Sequence, residues 1–303
     1  MAEEQPPIMD RLLYCPQCKA PLALAGDKYL CKDCSRSYTT VAGIPQFVVR
    51  DAPIDSFDAQ AFEFLFQMEQ KHFWHVGRRE IILDILKGIP GASGARMLEI
   101  GCGNGSVLTF LKQHGLKIEG GDIFLEGLNF CRQRAGAVPL YQIDILALPF
   151  LNDFDVIGLF DVLEHIDDDE KALFEVGRAL KPGGKILLTV PAHKFLWSYF
   201  DEASAHQRRY SRKEIIAKLE RNGFIIRKAS FYISLLFPLF LGARIIGKIM
   251  PKRRRPDVKT SIEVQTIPVV NELFLWILRL EKQLLKHVNL PLGASLLILA
   301  EKK

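Results

Sequence analysis

The sequence lacks the strong excess of positive charge that is typical of nucleic-acid binding proteins. Its 303 residues contain 40 lysines and arginines and 35 aspartates and glutamates, which leaves a formal net charge of +5. Global electrostatics therefore do not indicate a nucleic-acid ligand. Residues 1–7 also lack the order of basic, apolar and small residues that marks a secretory signal. We therefore expect a cytoplasmic protein.

Cysteine is scarce, and four of the six cysteines form two close pairs. In a reducing cytoplasm we expect them to bind a metal rather than to form disulfides. Cys15 with Cys18 and Cys31 with Cys34 are two C-x2-C pairs separated by twelve residues. Four such thiolates satisfy tetrahedral zinc and leave no open position for a substrate water, which predicts a structural site. The alternative, a redox-active C-x-x-C pair, would need a thioredoxin-like βαβ context that the sequence lacks.

Three glycines at alternate positions follow a short apolar segment. Residues 96–105 read RMLEIGCGNG and lead into a segment with helical periodicity, which predicts a strand, a tight turn and a helix. Gly101, Gly103 and Gly105 have no Cβ, so they can adopt positive φ and let a ligand lie against backbone N–H groups. A dinucleotide site would need a glycine in place of Ser106. The spacing therefore disfavours a pyrophosphate ligand, and the remaining alternative is a turn that binds nothing.

The pattern Glu99-x-Gly-x-Gly-x-Gly is similar to motif I of the class I S-adenosylmethionine (SAM) dependent methyltransferases. Five alternating βα units indicate a parallel, doubly wound α/β sheet. The resemblance implies a seven-stranded Rossmann-like sheet of order 3-2-1-4-5-7-6, with residues 294–300 as the antiparallel seventh strand. The N-terminal cysteine unit resembles the zinc ribbons of the small methyltransferase-activator family.

The resemblance also implies which residues contact SAM. Asp122 ends the second predicted strand, where nucleotide-binding α/β folds place the acid that accepts hydrogen bonds from ribose hydroxyls. Asp144 ends the third strand, where the family's acid meets the adenine amino group; a helix cap is its alternative role. Arg78 should meet the SAM carboxylate beside Trp74, or else be solvated next to a core tryptophan. The expected SAM contacts are Trp74, Arg78, Glu99, Gly101, Cys102, Gly103, Gly105, Asp122, Ile123, Asp144, Ile145, Asp161 and His165.

Titratable and aromatic residues are dense after the fourth and fifth predicted strands. Open α/β sheets bind ligands at this edge, so we expect residues 192–210 to overhang the pocket as a loop. Methyl transfer to a hydroxyl or an acidic carbon needs a base, and histidine titrates in the right range. Each histidine also has a structural role as its alternative. The predicted catalytic residues are His165, His193, His206 and Tyr210, and those predicted to hold the acceptor are Trp197, Arg208 and Arg209.

An insertion separates the sixth and seventh predicted strands. Its first part, residues 232–250, is nearly all apolar, but Pro238 and Arg244 argue against a membrane-spanning helix. The basic run Lys252–Arg255 follows, and apolar surface beside a basic cluster suits peripheral contact with an anionic membrane through residues 232–260. Packing of these helices on each other or on a second subunit, and a tunnel for a lipid tail, are the alternatives.

Four segments and one activity follow from these features. We predict a zinc ribbon over 1–50, linker and cofactor-lid helices over 51–90, a SAM-binding catalytic domain over 91–231 and 291–303, and a hydrophobic and basic helical insertion over 232–290. The predicted activity is methyl transfer from SAM to a small or lipid-linked acceptor, in the cytoplasm or peripherally at the inner membrane face. One alternative is an RNA methyltransferase, which we disfavour because the basic run adjoins apolar residues. The other is a non-catalytic SAM-binding scaffold.

Overall fold

The computed structural model describes residues 11–48, 59–249 and 267–303. Within these residues the chain forms a four-stranded sheet near the N-terminus and a seven-stranded sheet. The start of the predicted linker, at 51–58, and the basic run Lys252–Arg255 lie outside the described residues.

The seven-stranded sheet has the strand order that the resemblance implies. Its strands are β5 (Arg96–Ile100), β6 (Lys117–Asp122), β7 (Leu140–Gln142), β8 (Phe154–Phe160), β9 (Leu180–Pro191), β10 (Phe224–Tyr232) and β11 (Ser295–Lys302). They lie in the order β7-β6-β5-β8-β9-β11-β10, and β11 is antiparallel to both of its neighbours. Successive residues of β5, Met97 and Leu98, belong to separate hydrophobic cores because neighbouring side chains on a strand point to opposite faces. The predicted sheet is confirmed.

Helices cover both faces of this sheet. One core contains residues of α2 (Phe73–Lys87), α3 (Ser106–Gln113), α4 (Leu125–Ala135) and α9 (Pro268–Leu285). The other core contains residues of α5 (Asp169–Ala179) and α7 (Arg212–Arg221). The remaining helices are α1 (Ala59–Met68), α6 (Tyr199–Ala203), α8 (Phe237–Ile249) and two 3-10 turns at Leu163–His165 and Lys194–Leu196. Ser211 caps α7 by accepting a hydrogen bond from the Glu214 N–H at 3.2 Å.

Strand β9 begins with residues whose sequence is typical of a turn. Residues 181–184 read KPGG, yet β9 already begins at Leu180, which pairs with Phe154. The extra residues bulge out opposite Asp155, whose carboxylate accepts a hydrogen bond from the Lys181 ammonium at 2.8 Å. A bulge inserts residues without ending the strand, so the local sequence alone looks like a turn.

The segment after β9, predicted as a loop, contains short helical elements. It contains the 3-10 turn and α6, and Ser198 caps α6 in a reciprocal capping box with Asp201. The Asp201 side chain is fully buried and accepts a hydrogen bond from the Arg209 guanidinium at 2.7 Å. A buried charge pair between two positions of the segment therefore fixes its conformation.

The N-terminal sheet packs beside β7, at the edge of the large sheet. The Phe47 N–H donates a hydrogen bond to the Gln142 carbonyl at 2.7 Å. The guanidinium of Arg11 donates to Glu119 of β6 at 2.7 Å and lies 4.4 Å over the Phe150 ring. The strands of this sheet are β1 (Leu22–Ala25), β2 (Lys28–Cys31), β3 (Ser37–Val41) and β4 (Ile44–Pro45). The unit thus covers an edge whose backbone groups would otherwise be unpaired.

Helix α9 of the insertion packs along α2, the predicted lid helix. The Asn271 side chain accepts a hydrogen bond from the Phe73 N–H at 2.7 Å. A Cβ on Gly77 would lie 2.5 Å from Leu278, so the glycine allows the two helices to approach closely. Within the described residues, the insertion therefore holds in place the helix that carries Trp74 and Arg78.

The opposite side of α9 is apolar and exposed. Its exposed hydrophobic residues recur every three or four positions, which places them on one helical face. They are Val269, Val270, Leu273, Trp276, Leu280 and Leu284. Leu239, Ile245 and Ile246 are similarly exposed on α8. None of the helices described is both long enough and apolar enough to cross a membrane.

Candidate active site

The glycine loop between β5 and α3 uses its three glycines for different physical reasons. All three have positive φ, from 48° to 74°. A Cβ on Gly101 would lie 2.5 Å from Val162, and one on Gly105 would lie 2.4 Å from the Cys131 Sγ. A Cβ on Gly103 would meet no atom of the described residues within 4 Å. Gly103 therefore opens onto space where a ligand can lie, whereas the other two glycines make room for protein side chains.

Asp122, at the end of β6, holds this loop in place. Its carboxylate accepts hydrogen bonds from the Gly103 N–H at 2.7 Å and from the Phe124 N–H at 2.9 Å. Burial raises the pKa of Asp122, and these N–H groups oppose the shift. Each carboxylate oxygen has a further lone pair and can still accept a hydrogen bond from a ligand hydroxyl. After the next strand, Asp144 accepts a hydrogen bond from the Leu146 N–H at 2.9 Å within a turn, and no helix begins there among the described residues.

A buried arginine and two acids lie close to the loop. The Arg78 guanidinium stacks 4.4 Å over the Trp74 ring and pairs with Asp161. Arg78 is only 8% exposed, so its alternative as a solvated arginine is wrong. Glu99 is also buried, and its Oε2 has no hydrogen-bond partner among the described residues. Burial raises the pKa of Glu99 to about 8, opposed by the charge of Arg78.

These features fit the cofactor that the resemblance implies. SAM carries a cationic sulfonium and an amino group, and Glu99 is a buried carboxylate that lacks a partner of that kind. The open backbone at Gly103 leaves a space that any Cβ would fill. Both features lie where β5 ends, at the carboxyl edge at which α/β sheets bind their ligands.

Glu164, His165 and His206 converge just after β8. Each offers one potential ligand atom, and these atoms lie within 4.8 Å of one another. The two imidazole rings meet edge-on with centroids 4.9 Å apart, and burial lowers the pKa of His165 to about 4. Glu164 is fully buried, and neither of its carboxylate oxygens has a hydrogen-bond partner among the described residues. Sequence reasoning missed Glu164, although its place next to His165 was a usable signal.

The four cysteines of the ribbon lie at zinc-binding distances. The Sγ atoms of Cys15 and Cys34 are 3.6 Å apart, and those of Cys18 and Cys31 are 3.4 Å apart. All four Sγ atoms lie within 4.8 Å of one another. Tetrahedral zinc with bonds of about 2.3 Å places its sulfur ligands about 3.8 Å apart. The cluster therefore fits a four-thiolate zinc site.

Comparison with known proteins identifies the domain that carries this site. Residues 73–229 match the family model described as a methyltransferase domain. The chain belongs to this family. The ubiquinone biosynthesis O-methyltransferase of Idiomarina loihiensis is 32% identical over 105 residues, which cover 33% of this chain and 43% of that protein. The chain spans about half the length of the curated relatives it matches.

Two solved structures share the fold of this methyltransferase domain. Phosphoethanolamine N-methyltransferase 2 of Haemonchus contortus, in complex with SAM, is 22% identical with a TM-score of 0.53 over 82% of this chain and 58% of that chain. A complex of the Haloferax volcanii Trm112 methyltransferase activator with a methyltransferase is 19% identical with a TM-score of 0.55, covering 82% and 99%. At these identities the likeness establishes the class I methyltransferase fold.

The other predicted cofactor residues of the methyltransferase domain lie at the same edge of the sheet. Cys102 is buried within the glycine loop, and Ile145 is buried in one of the cores. The carbonyl of Ile123, which follows β6, accepts a hydrogen bond from the Gln142 side chain at 3.0 Å. The sheet therefore brings these residues together at the ends of β5, β6 and β7.

His193 also lies at this edge, directly after β9. Its ring stacks on Phe231 with centroids 5.0 Å apart, and burial lowers its pKa. The His193 Nε2 is buried and has no hydrogen-bond partner among the described residues. A neutral imidazole with a free nitrogen can accept a proton. Trp197, four residues along the chain, is half-buried.

The remaining catalytic candidate, Tyr210, and the acceptor candidates Arg208 and Arg209 have partners inside the protein. The Tyr210 hydroxyl donates a hydrogen bond to Asp169 at 2.8 Å and is fully buried, and Arg208 pairs with the same carboxylate at 3.2 Å. Arg209 is buried against Asp201. These contacts attach Tyr210 and Arg208 to α5 and Arg209 to α6, so we leave the three residues out of the proposed acceptor site.

Proposed function

We propose that this methyltransferase domain transfers the methyl group of SAM to a small or lipid-linked acceptor. The observation that carries the proposal is the open backbone at Gly103, which is held by Asp122 and lies near Glu99, whose Oε2 has no hydrogen-bond partner among the described residues. SAM, when bound, supplies a methyl group on a positively charged sulfonium. The residues of the chain bind it, orient it and bring an acceptor into line with it.

Each proposed cofactor contact has a support in the structure. Asp122 retains lone pairs for the ribose hydroxyls, and Asp144 lies at the adjacent strand end for the adenine. Glu99 accepts hydrogen bonds from the amino group of the methionine part. Arg78 pairs with Asp161, and its Nε has no partner among the described residues, so it retains a donor for the SAM carboxylate.

The acceptor is proposed to bind beside the three histidines. Burial lowers the pKa values of His165 and His193, so both imidazoles are neutral at physiological pH. A neutral imidazole at hydrogen-bond distance from an acceptor hydroxyl takes its proton as the methyl group is transferred. His206 lies against His165 and completes the cluster.

The choice of a small or lipid-linked acceptor has two supports. The Idiomarina relative is named for O-methylation in ubiquinone biosynthesis, which concerns a small molecule. The apolar exposed faces of α8 and α9 are compatible with a greasy acceptor or with the cytoplasmic membrane face, where we propose that the protein works. We also propose that the chain is divided into the ribbon, the lid helices, the catalytic domain and the insertion with the bounds predicted from the sequence.

Methyl transfer from labelled SAM into cell fractions tests the function. The full chain is incubated with labelled SAM and with a lipid extract, a pool of small metabolites or total RNA. Label in the lipid or small-molecule fraction supports the proposal, whereas label in RNA supports the RNA methyltransferase. Tight SAM binding without incorporation in any fraction would support the scaffold. The Gly103→Ala variant, whose added methyl occupies the ligand space, is the negative control.

A further inference from the structure

A cluster of side chains typical of metal ligands lies after β8, apart from the ribbon cysteines. Glu164 and His165 belong to the 3-10 turn that follows β8, and His206 follows α6. Their potential ligand atoms lie within 4.8 Å of one another. Tertiary structure brings them together, because His206 is distant from the other two in the sequence.

Each imidazole of the cluster has one nitrogen already engaged. The His165 Nδ1 lies 3.3 Å from the Ala205 carbonyl oxygen, and the His206 Nδ1 lies 3.0 Å from the Asp201 carboxylate. Both acceptors favour the tautomer with the proton on Nδ1, which leaves a lone pair on each Nε2. A carbonyl or carboxylate behind the ring is the usual partner that orients a metal-binding histidine.

Glu164 supplies the second, independent observation. It is fully buried, and neither carboxylate oxygen has a hydrogen-bond partner among the described residues. A buried carboxylate without a partner is costly. Two buried arginines, Arg78 and Arg209, act on Glu164 through their charge. Arg78 is already paired with Asp161, and Arg209 is already paired with Asp201. A cation between Glu164 and the two imidazoles would supply the missing partner.

We propose that Glu164, His165 and His206 bind one divalent transition-metal ion. Two imidazoles and one carboxylate suit Mn²⁺, Fe²⁺, Co²⁺ or Zn²⁺, whereas Ca²⁺ and Mg²⁺ favour sets of oxygen ligands. Three protein ligands leave a position open, in contrast to the closed four-cysteine set of the ribbon.

The metal inference rests on the geometry of the cluster and not on the proposed function. If methyl transfer holds as well, an acceptor hydroxyl bound at the open position would have a lowered pKa. This consequence does rest on the proposed function. The two histidines would then be ligands, and His193 would remain as the base.

Manganese binding by the full chain tests the inference, because Mn²⁺ favours oxygen and nitrogen ligands over the thiolates of the ribbon. Protein treated with a chelator and then freed of it is titrated with Mn²⁺ in the absence of SAM, and free Mn²⁺ is followed by electron paramagnetic resonance. We expect one Mn²⁺ per chain, and an affinity at least about tenfold lower for Glu164→Gln and His206→Asn. The matched controls Glu126→Gln and His114→Asn change exposed residues of the same types and should bind like the wild type.

Two results would overturn the metal site. One is that the wild type binds no Mn²⁺ and also binds no Co²⁺ other than at the four cysteines. Co²⁺ at the cysteines is recognised by its sulfur-to-metal charge-transfer absorption. The other is an unchanged Mn²⁺ affinity in both variants. Circular dichroism and thermal unfolding show whether each variant folds. If Glu164→Gln does not fold, the Mn²⁺ affinity of His206→Asn decides the test, because His206 is only half-buried. SAM affinity is measured separately by calorimetry, so failure of the metal site and failure of the proposed function give different results.

Discussion

Alanine at two glycines of the cofactor loop should separate stability from ligand binding. Gly103 and Gly105 have φ of 48° and 72°, and an alanine in this region costs about 1–2 kcal/mol. Gly103→Ala adds nothing further, because its Cβ meets no atom within 4 Å. Gly105→Ala places a Cβ 2.4 Å from the Cys131 Sγ and 3.1 Å from the Cys131 Cα. Overpacking of this kind adds about 1–3 kcal/mol, so we expect a total loss of about 2–5 kcal/mol.

The order of the effects should reverse for SAM affinity. The methyl group of Gly103→Ala occupies the space where the proposed cofactor meets the backbone, so we expect affinity to fall at least about tenfold, or 1.4 kcal/mol. Gly183→Ala is the matched control, because Gly183 has φ of 72° and open space around its Cβ at the start of β9, away from the carboxyl edge. This control should lose as much stability as Gly103→Ala and bind SAM like the wild type.

Urea unfolding gives the free energy of unfolding for each variant, and isothermal titration calorimetry gives the SAM dissociation constant. The double variant Gly105→Ala/Cys131→Ala removes the nearest clashing atom and should recover part of the stability lost by Gly105→Ala. A Gly105→Ala variant that is no less stable than Gly103→Ala would refute the expected clash with Cys131. A Gly103→Ala variant that binds SAM as tightly as the wild type would refute the placement of the cofactor at Gly103.

Three further predictions concern Glu99, the ribbon and the insertion. Because the pKa of Glu99 is raised from 4.5 to about 8, its burial lowers stability as pH rises between these values. The free energy of unfolding of Glu99→Gln should therefore exceed that of the wild type by up to about 5 kcal/mol at pH 8 and equal it at pH 4. The variant should also bind SAM more weakly. If urea unfolding shows equal stability of the two proteins at both pH values, this prediction is contradicted. Mass spectrometry should find one zinc per chain. The Cys18→Ser variant should lose the zinc, and its N-terminal sheet, which packs beside β7, should unfold. A zinc content well below one per chain would reject the site. Leu273→Ser/Trp276→Ser should reduce flotation with anionic vesicles, relative to a control at exposed Glu272→Gln; equal recovery of all three proteins would remove the membrane proposal.

The features that could be predicted from the sequence are local. The glycine spacing after a strand, the C-x2-C pairs and the alternation of strands and helices each depend on residues within one short segment. The order of the sheet could be inferred because the motif resembles a known family, and the structure confirms it. The sequence could not show why a glycine is needed at each of positions 101, 103 and 105. The side chains that a Cβ would meet at Gly101 and Gly105 belong to Val162 and Cys131, which lie far away in the sequence.

Residues 208–210 show what sequence reasoning could not decide. A dense run of titratable side chains looks like an open site, but Tyr210 and Arg208 are turned to Asp169 and Arg209 is turned to Asp201. Charged groups that can pair inside the protein do so, because leaving them buried without a partner is costly. Composition alone could not show which of these groups find partners.

The sequence by itself determined that this chain has a parallel α/β sheet with a glycine loop at its edge and a four-cysteine unit before it. Those features depend on the conformations that neighbouring residues allow and on the spacing of cysteines within a short segment. Only the tertiary structure decided that α9 packs on α2, that Glu164 is isolated beside two histidines, and that Gly103 is the glycine facing open space. These features depend on contacts between residues far apart in the chain, which form only when the whole sheet and its helices pack together.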